Sequence, residues 1–119
     1  MTTVAADISV HDLHNTLRGE TEFALLDVRE QEEFSRAHIL LACCAPLSRL
    51  ELMVERLVPC KKTPVFVMDD GLSEDLNRGE RAARVLAAMG YRAVRVVGGG
   101  LKAWREAGFV TVNGVGALS

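Results

Sequence analysis

No apolar run in this sequence is long enough to cross a bilayer. The longest, Ile39 to Leu47, is broken by Pro46 and falls far short of the ~20 residues that a spanning helix needs. No membrane association is therefore expected. The N-terminus, MTTVAADISV, lacks the basic and apolar regions of a secretory signal, so export is not expected either. Cysteine is sparse: Cys43, Cys44 and Cys60 fit neither a disulfide framework nor a C-x-x-C metal spacing. That usage suits a reducing, cytoplasmic compartment, with no metal and no cofactor expected. A dominant charge is missing too. Fourteen Lys and Arg against sixteen Asp and Glu leave a net charge of −2, which gives no counterion-release drive toward DNA or RNA.

What is present is the balance of an ordinary folded domain, 49% apolar and 25% charged in 119 residues. One domain over residues 1–119 is expected, with its core at about 7–109 and a tail or linker at 110–119. Ser9, followed by Asp12 and then by Leu13 and Leu17, reads as a capped short helix closed at Gly19. Four apolar runs follow: Phe23 to Val28, Ile39 to Ala45, Pro64 to Met68 and Val94 to Val97. Each precedes a segment of helical character, at Glu30 to Ala37, Ser48 to Leu57, Arg78 to Met89 and Leu101 to Ala107. Apolar strands with little polar alternation, interleaved with helices, predict an α/β fold whose parallel sheet is covered on both faces. Ligands of such sheets sit beyond the carboxyl ends of the strands.

Of the loops at those ends, Asp69 to Glu80 (DDGLSEDLNRGE) is the richest in chemistry. Its acids read as a cap on the following helix, which the helix dipole favours by ~0.3–1 kcal/mol each. Two other uses of the residues are open. Asp69, Asp70, Glu74 and Asp75 could gather a hard cation, although not in EF-hand spacing, and Asp69 could act as a carboxylate nucleophile at a strand end. Gly98, Gly100 and Ala103 match the dinucleotide spacing G-x-G-x-x-A, but too little chain follows for the second strand and acid that this reading needs. Cys60, beside Lys61 and Lys62, is the one plausible reactive thiol, while Cys43 and Cys44 read as small core residues. His38 reads as orienting a turn, and His11 and His14 as surface residues.

The order of these segments resembles the rhodanese-like (sulfurtransferase) domain family over about residues 7–109. Leu25-Leu26-Asp27-Val28-Arg29 with Glu33-Phe34 carries the first part of the likeness, and Ala37-His38-Ile39 with Ala42 and Pro46 the second. Pro64-Val65-Phe66-Val67 and Gly90-Tyr91 with Gly98-Gly99-Gly100-Leu101 and Trp104 complete it. The resemblance implies a three-layer α/β sandwich, its central, mostly parallel sheet flanked by helices. It also implies a cysteine after the central strand that takes a sulfane sulfur, typically from thiosulfate, and passes it to a thiophile such as cyanide. Converging backbone N–H groups and a helix N-terminus would lower that thiol's pKa and hold the anionic donor.

At that position the sequence has Asp69, in an active-loop stretch comprising Asp69, Asp70, Gly71, Leu72, Ser73 and Arg78. A carboxylate cannot carry a persulfide, so no catalytic residue is assigned, and Cys60 is the weak alternative. The Asp-Asp-Gly form resembles the catalytically silent domain beside an active one in tandem rhodaneses. The implied partners are a second rhodanese domain or another protein, and a small sulfur-containing anion if the chain is active. Asp69 is then expected to sit in the amide cradle as an internal anion. Ala37 and Leu40-Leu41 replace a glycine and a proline-glycine pair usual in the family.

Overall fold

The computed structural model describes residues 7–72 and 77–114. Helix α1 (Val10–Arg18) starts as the sequence predicts: the Ser9 hydroxyl accepts from the Asp12 amide at 3.1 Å. Strand β1 (Ala24–Asp27) feeds α2 (Gln31–Arg36), whose start is closed by a capping box between Glu30 and Glu33. A two-residue strand β2 (Cys43–Cys44) leads through a 3-10 turn at Leu47–Arg49 into α3 (Leu50–Leu57). Then come β3 (Val65–Met68), α4 (Arg78–Ala88), β4 (Val94–Val96) and α5 (Gly100–Glu106). The strands form one parallel sheet in the order β2-β1-β3-β4, with Ala24 opposite Val65 and Val65 opposite Val94.

The apolar runs are explained by cover on both faces. Leu26, Val65 and Val67 point into one core with Leu50, Val54, Ala82, Ala83 and Leu86 from α3 and α4. Leu25, Phe66 and Met68 point into the other with Leu13 of α1 and with Leu101 and Trp104 of α5. Every residue of β3 is buried. No helix among the described residues is long and apolar enough to cross a membrane.

Three expectations are corrected. Ile39 to Ala45 is not one strand: the chain turns after Ile39, whose carbonyl accepts from the Ala42 amide at 2.9 Å, and pairs with β1 only at Cys43–Cys44. Ile39 is buried while Leu40 and Leu41 face solvent, so the run is apolar without being a core strand. Cys43 is exposed, because it lies on the sheet's edge. His14 is half-buried, stacked on Phe109 with ring centroids 4.1 Å apart, and not a free surface residue.

Residues 110–114, expected as tail, are tied to the body of the domain. Trp104 Nε1 donates to the Val110 carbonyl at 2.8 Å, and His38 and Val112 exchange two backbone hydrogen bonds of 2.8 Å. The His38 ring is buried on Phe34, with Nδ1 2.8 Å from the Phe34 carbonyl, the turn-orienting part expected of it.

Candidate functional site

The sheet delivers the acidic loop directly from its most buried strand. Met68 ends β3, and the next two carbonyls, of Asp69 and Asp70, accept from the Leu101 and Lys102 amides at 3.0 Å each. These are amides of the first turn of α5, which have no partner inside the helix. The loop after β3 is thus fixed to the helix after β4.

Glycine makes this contact geometrically allowed. Gly71 has φ +75°, and a Cβ there would stand 1.8 Å from the Gly99 carbonyl oxygen. Gly100, at φ +55°, faces the Asp69 carbonyl oxygen and the Gly71 nitrogen at distances a side chain would close to 2.5 and 2.6 Å. The triple glycine after β4 is therefore a close-packing device, whatever its likeness to a dinucleotide spacing.

Within the loop the carboxylates bind backbone amides. Asp69 Oδ1 accepts from the Gly71 amide and Oδ2 from the Gly79 amide, both at 2.9 Å. Gly79 lies in the first turn of α4, so Asp69 places its charge at that helix's positive end while bridging two segments of chain. Asp70 Oδ1 accepts from the Leu72 amide at 2.9 Å, repeating the short Asx turn one residue on. Its Oδ2 faces Arg78 Nη2 at 3.2 Å.

Arg78 is the hinge of the electrostatics. Its guanidinium grips Glu33 of α2 through both carboxylate oxygens, at 2.8 and 3.0 Å, across 45 positions of sequence. The Arg78 contact holds the Glu33 carboxyl below the usual carboxylate range, and Glu33 in turn raises the guanidinium's pKa. Arg78 Nε is buried and has no hydrogen-bond partner among the described residues. With both terminal nitrogens engaged, Arg78 has little left to offer an incoming anion. Formal charges over Asp70, Arg78 and Glu33 sum to minus one.

Beneath this cluster lies a second pair. Asp27, fully buried at the end of β1, takes Arg29 Nε on Oδ1 at 2.9 Å and Nη2 on Oδ2 at 2.8 Å. The same Nη2 also donates to the Ala37 carbonyl at 2.7 Å, which pins the exit of α2. Between α2 and α5 a cleft of about 520 Å³ opens over the loop, with Glu33 on one side, Leu101 and Lys102 on the other, and Asp70 and Leu72 at its edge. Leu72 is largely exposed there.

Of the sequence-derived site residues, the structure brings together Asp69, Asp70, Gly71, Leu72 and Arg78. Ser73, with Glu74 and Asp75, lies outside the described residues. Among the described residues no group of three or more potential metal ligands occurs.

Cys60 is not near this site. It precedes β3, next to Lys61, whose carbonyl accepts from the Arg92 amide ahead of β4 at 3.1 Å. That is the amino end of the sheet, separated from Asp69 by the ~10 Å length of a four-residue strand. Cys60 is exposed, and its thiol pKa is lowered by the Lys62 amide and the Thr63 hydroxyl. Cys44 is the opposite case, pushed up to about 11 by burial and then by the Asp27 charge. Sequence reasoning did not find Glu33 as the partner of Arg78, nor the Gly79 amide as a ligand of Asp69. The one available signal was the spacing of Glu30 and Glu33 at the start of α2, which reports a helix cap and not a long-range contact.

Comparison with known proteins gives a consistent answer. The family described as Rhodanese-like domain matches residues 9–107. Thiosulfate sulfurtransferase from Pseudomonas aeruginosa superposes with a TM-score of 0.84 and 41% identity, over 92% of this chain and 20% of that one. The Alr3790 protein from Anabaena sp. superposes at TM-score 0.79 with 26% identity, over 91% of this chain and 93% of that one. Uncharacterized protein slr1261 of Synechocystis sp. is 34% identical over 97 residues, 82% of this chain. The chain spans about half the length of that relative (51%).

Proposed function

This chain belongs to the rhodanese-like domain family of sulfurtransferases, and on that premise we propose that it is a catalytically silent member with a structural or regulatory role. In this reading Asp69 stands where active relatives hold the sulfur-carrying cysteine. The observation that carries it is the double acceptance by Asp69 of the Gly71 and Gly79 amides at 2.9 Å. Those amides, one of them at a helix N-terminus, are the donors a thiolate and its sulfane anion would need. Asp69 occupies them with a group that has no sulfur to accept.

The silent domain serves best as one unit of a larger sulfurtransferase, packed on a second rhodanese domain or another protein. Its correspondence to one fifth of the Pseudomonas chain supports that setting. A second reading, an active thiosulfate sulfurtransferase working through another thiol, is favoured by the lowered pKa of Cys60. Against it, Cys60 lies at the far end of the sheet from the cleft.

Installing cysteine at the site tests the loop argument. Asp69→Cys is expected to give at most weak conversion of thiosulfate and cyanide to thiocyanate, with a folded circular-dichroism spectrum. The new thiol would sit beside a cluster of net negative charge whose arginine is already held by Glu33. Each unit by which such surroundings raise a thiol pKa lowers its thiolate population about tenfold. Robust transfer by that single variant would overturn the loop argument.

A further inference from the structure

We propose that a pocket at the ends of α2 and α5 binds a small tetrahedral oxyanion of the phosphate or sulfate class. The pocket, about 430 Å³, is lined by Arg36, Ala37, Arg105, Thr111, Val112 and Asn113. Among the described residues, its only charged lining residues are two arginines, from the last turns of two different helices. Neither Asp69 nor Asp70 lines it, so the proposal stands whether or not Asp69 silences the domain.

Several features make this a built site. The wall carrying Thr111, Val112 and Asn113 is held by the paired His38 and Val112 backbones, and the Gly114 amide donates to the Ser35 carbonyl at 2.7 Å. Arg36 is steadied by Glu32, one turn back on its own helix, at 2.7 Å. Arg105 makes no ion pair or side-chain hydrogen bond with any described residue, whereas Lys102, on the same helix, is paired with Glu106. Among the described residues no carboxylate lines this pocket, although Glu32 holds one Arg36 nitrogen and both arginines also border the neighbouring cleft that carries Glu33, Asp70 and Glu106.

The donor set also selects among anions. Two guanidinium forks, a threonine hydroxyl and an asparagine carboxamide supply more donors than the two oxygens of a carboxylate can use. They suit an anion with three or four acceptor oxygens. Because both arginines are solvated, the affinity is expected in the millimolar range, well below that of a dry phosphate site.

The test is a titration of the full chain with inorganic phosphate and with sulfate at constant ionic strength, followed by amide and arginine side-chain NMR shifts. Saturable shifts confined to Arg36, Ala37, Arg105 and residues 111–113 are expected. Arg36→Gln and Arg105→Gln should each weaken binding about tenfold, the size of a lost charged hydrogen bond. Arg105→Lys, which keeps the charge and loses the fork, should retain part of the affinity. Acetate saturating the pocket as tightly as phosphate would overturn the oxyanion selectivity. Shifts that rise linearly or spread over all surface cations, or binding unchanged in both glutamine variants, would overturn the site. Both arginines lie at the surface, and an unchanged amide spectrum outside the pocket certifies the fold of each variant.

Discussion

Arg29→Ala is expected to lower the unfolding free energy by about 3–5 kcal/mol, measured by urea denaturation at neutral pH. The reason is what the substitution leaves behind. Asp27 is fully buried and loses the Nε and Nη2 donors that hold its two oxygens at 2.9 and 2.8 Å. The Ala37 carbonyl loses its donor at 2.7 Å at the same time. A charge stranded in the interior costs far more than the intact pair gains, because both ions surrendered their hydration on folding. The double variant Asp27→Leu with Arg29→Met should therefore recover most of the loss. Set against a total of about 5–15 kcal/mol for an ordinary domain, the single change would bring the fold near its limit. A loss under about 1 kcal/mol would show that water reaches Asp27.

Gly100→Ala is the second large effect, expected at about 2–4 kcal/mol. Two costs combine: a left-handed conformation for a residue with a Cβ, and overlap with fixed neighbours. The φ there is +55°, and the new Cβ would stand 2.5 Å from the Asp69 carbonyl oxygen and 2.6 Å from the Gly71 nitrogen. Both are backbone atoms, with no side chain to swing away. Gly108 supplies the control, since it has φ +88° with nothing within 4 Å of its Cβ position. Gly108→Ala should cost only the conformational part, about 1 kcal/mol. Equal losses in the two variants would refute the interlock between the loops after β3 and β4.

How far the sequence could be read depends on the range of the interaction. Cover on both faces makes β3 apolar at every position, so Pro64 to Met68 announces a buried strand. The Ser9 cap of α1 is equally local and equally visible. Ile39 to Ala45 misleads because apolar composition does not separate a turn with exposed Leu40 and Leu41 from a strand. The antiparallel link of His38 to Val112 depends on a segment far along the chain. The candidate site divides in the same way. Asp69, Asp70 and Arg78 stand out as charges at a strand end. That Arg78 belongs to Glu33, 45 positions earlier, and that Asp69 reaches the Gly79 amide, follow from the superposition of α2, β3 and α4 in space. Cys60 shows what position adds to chemistry. Its lowered pKa makes it a candidate by reactivity, yet it precedes its strand, and ligand sites of parallel sheets lie where strands end.

On the proposed reading, Asp69 leaves this rhodanese-like chain without a sulfur-carrying group in its amide cradle. The most direct test of that reading is the rate of thiocyanate formation from thiosulfate and cyanide by the unmodified chain, measured beside the same chain with its three cysteines alkylated. A silent domain gives indistinguishable rates, both at the background without protein. Turnover by the unmodified chain that alkylation abolishes would contradict it and place the sulfur on one of those cysteines, Cys60 first.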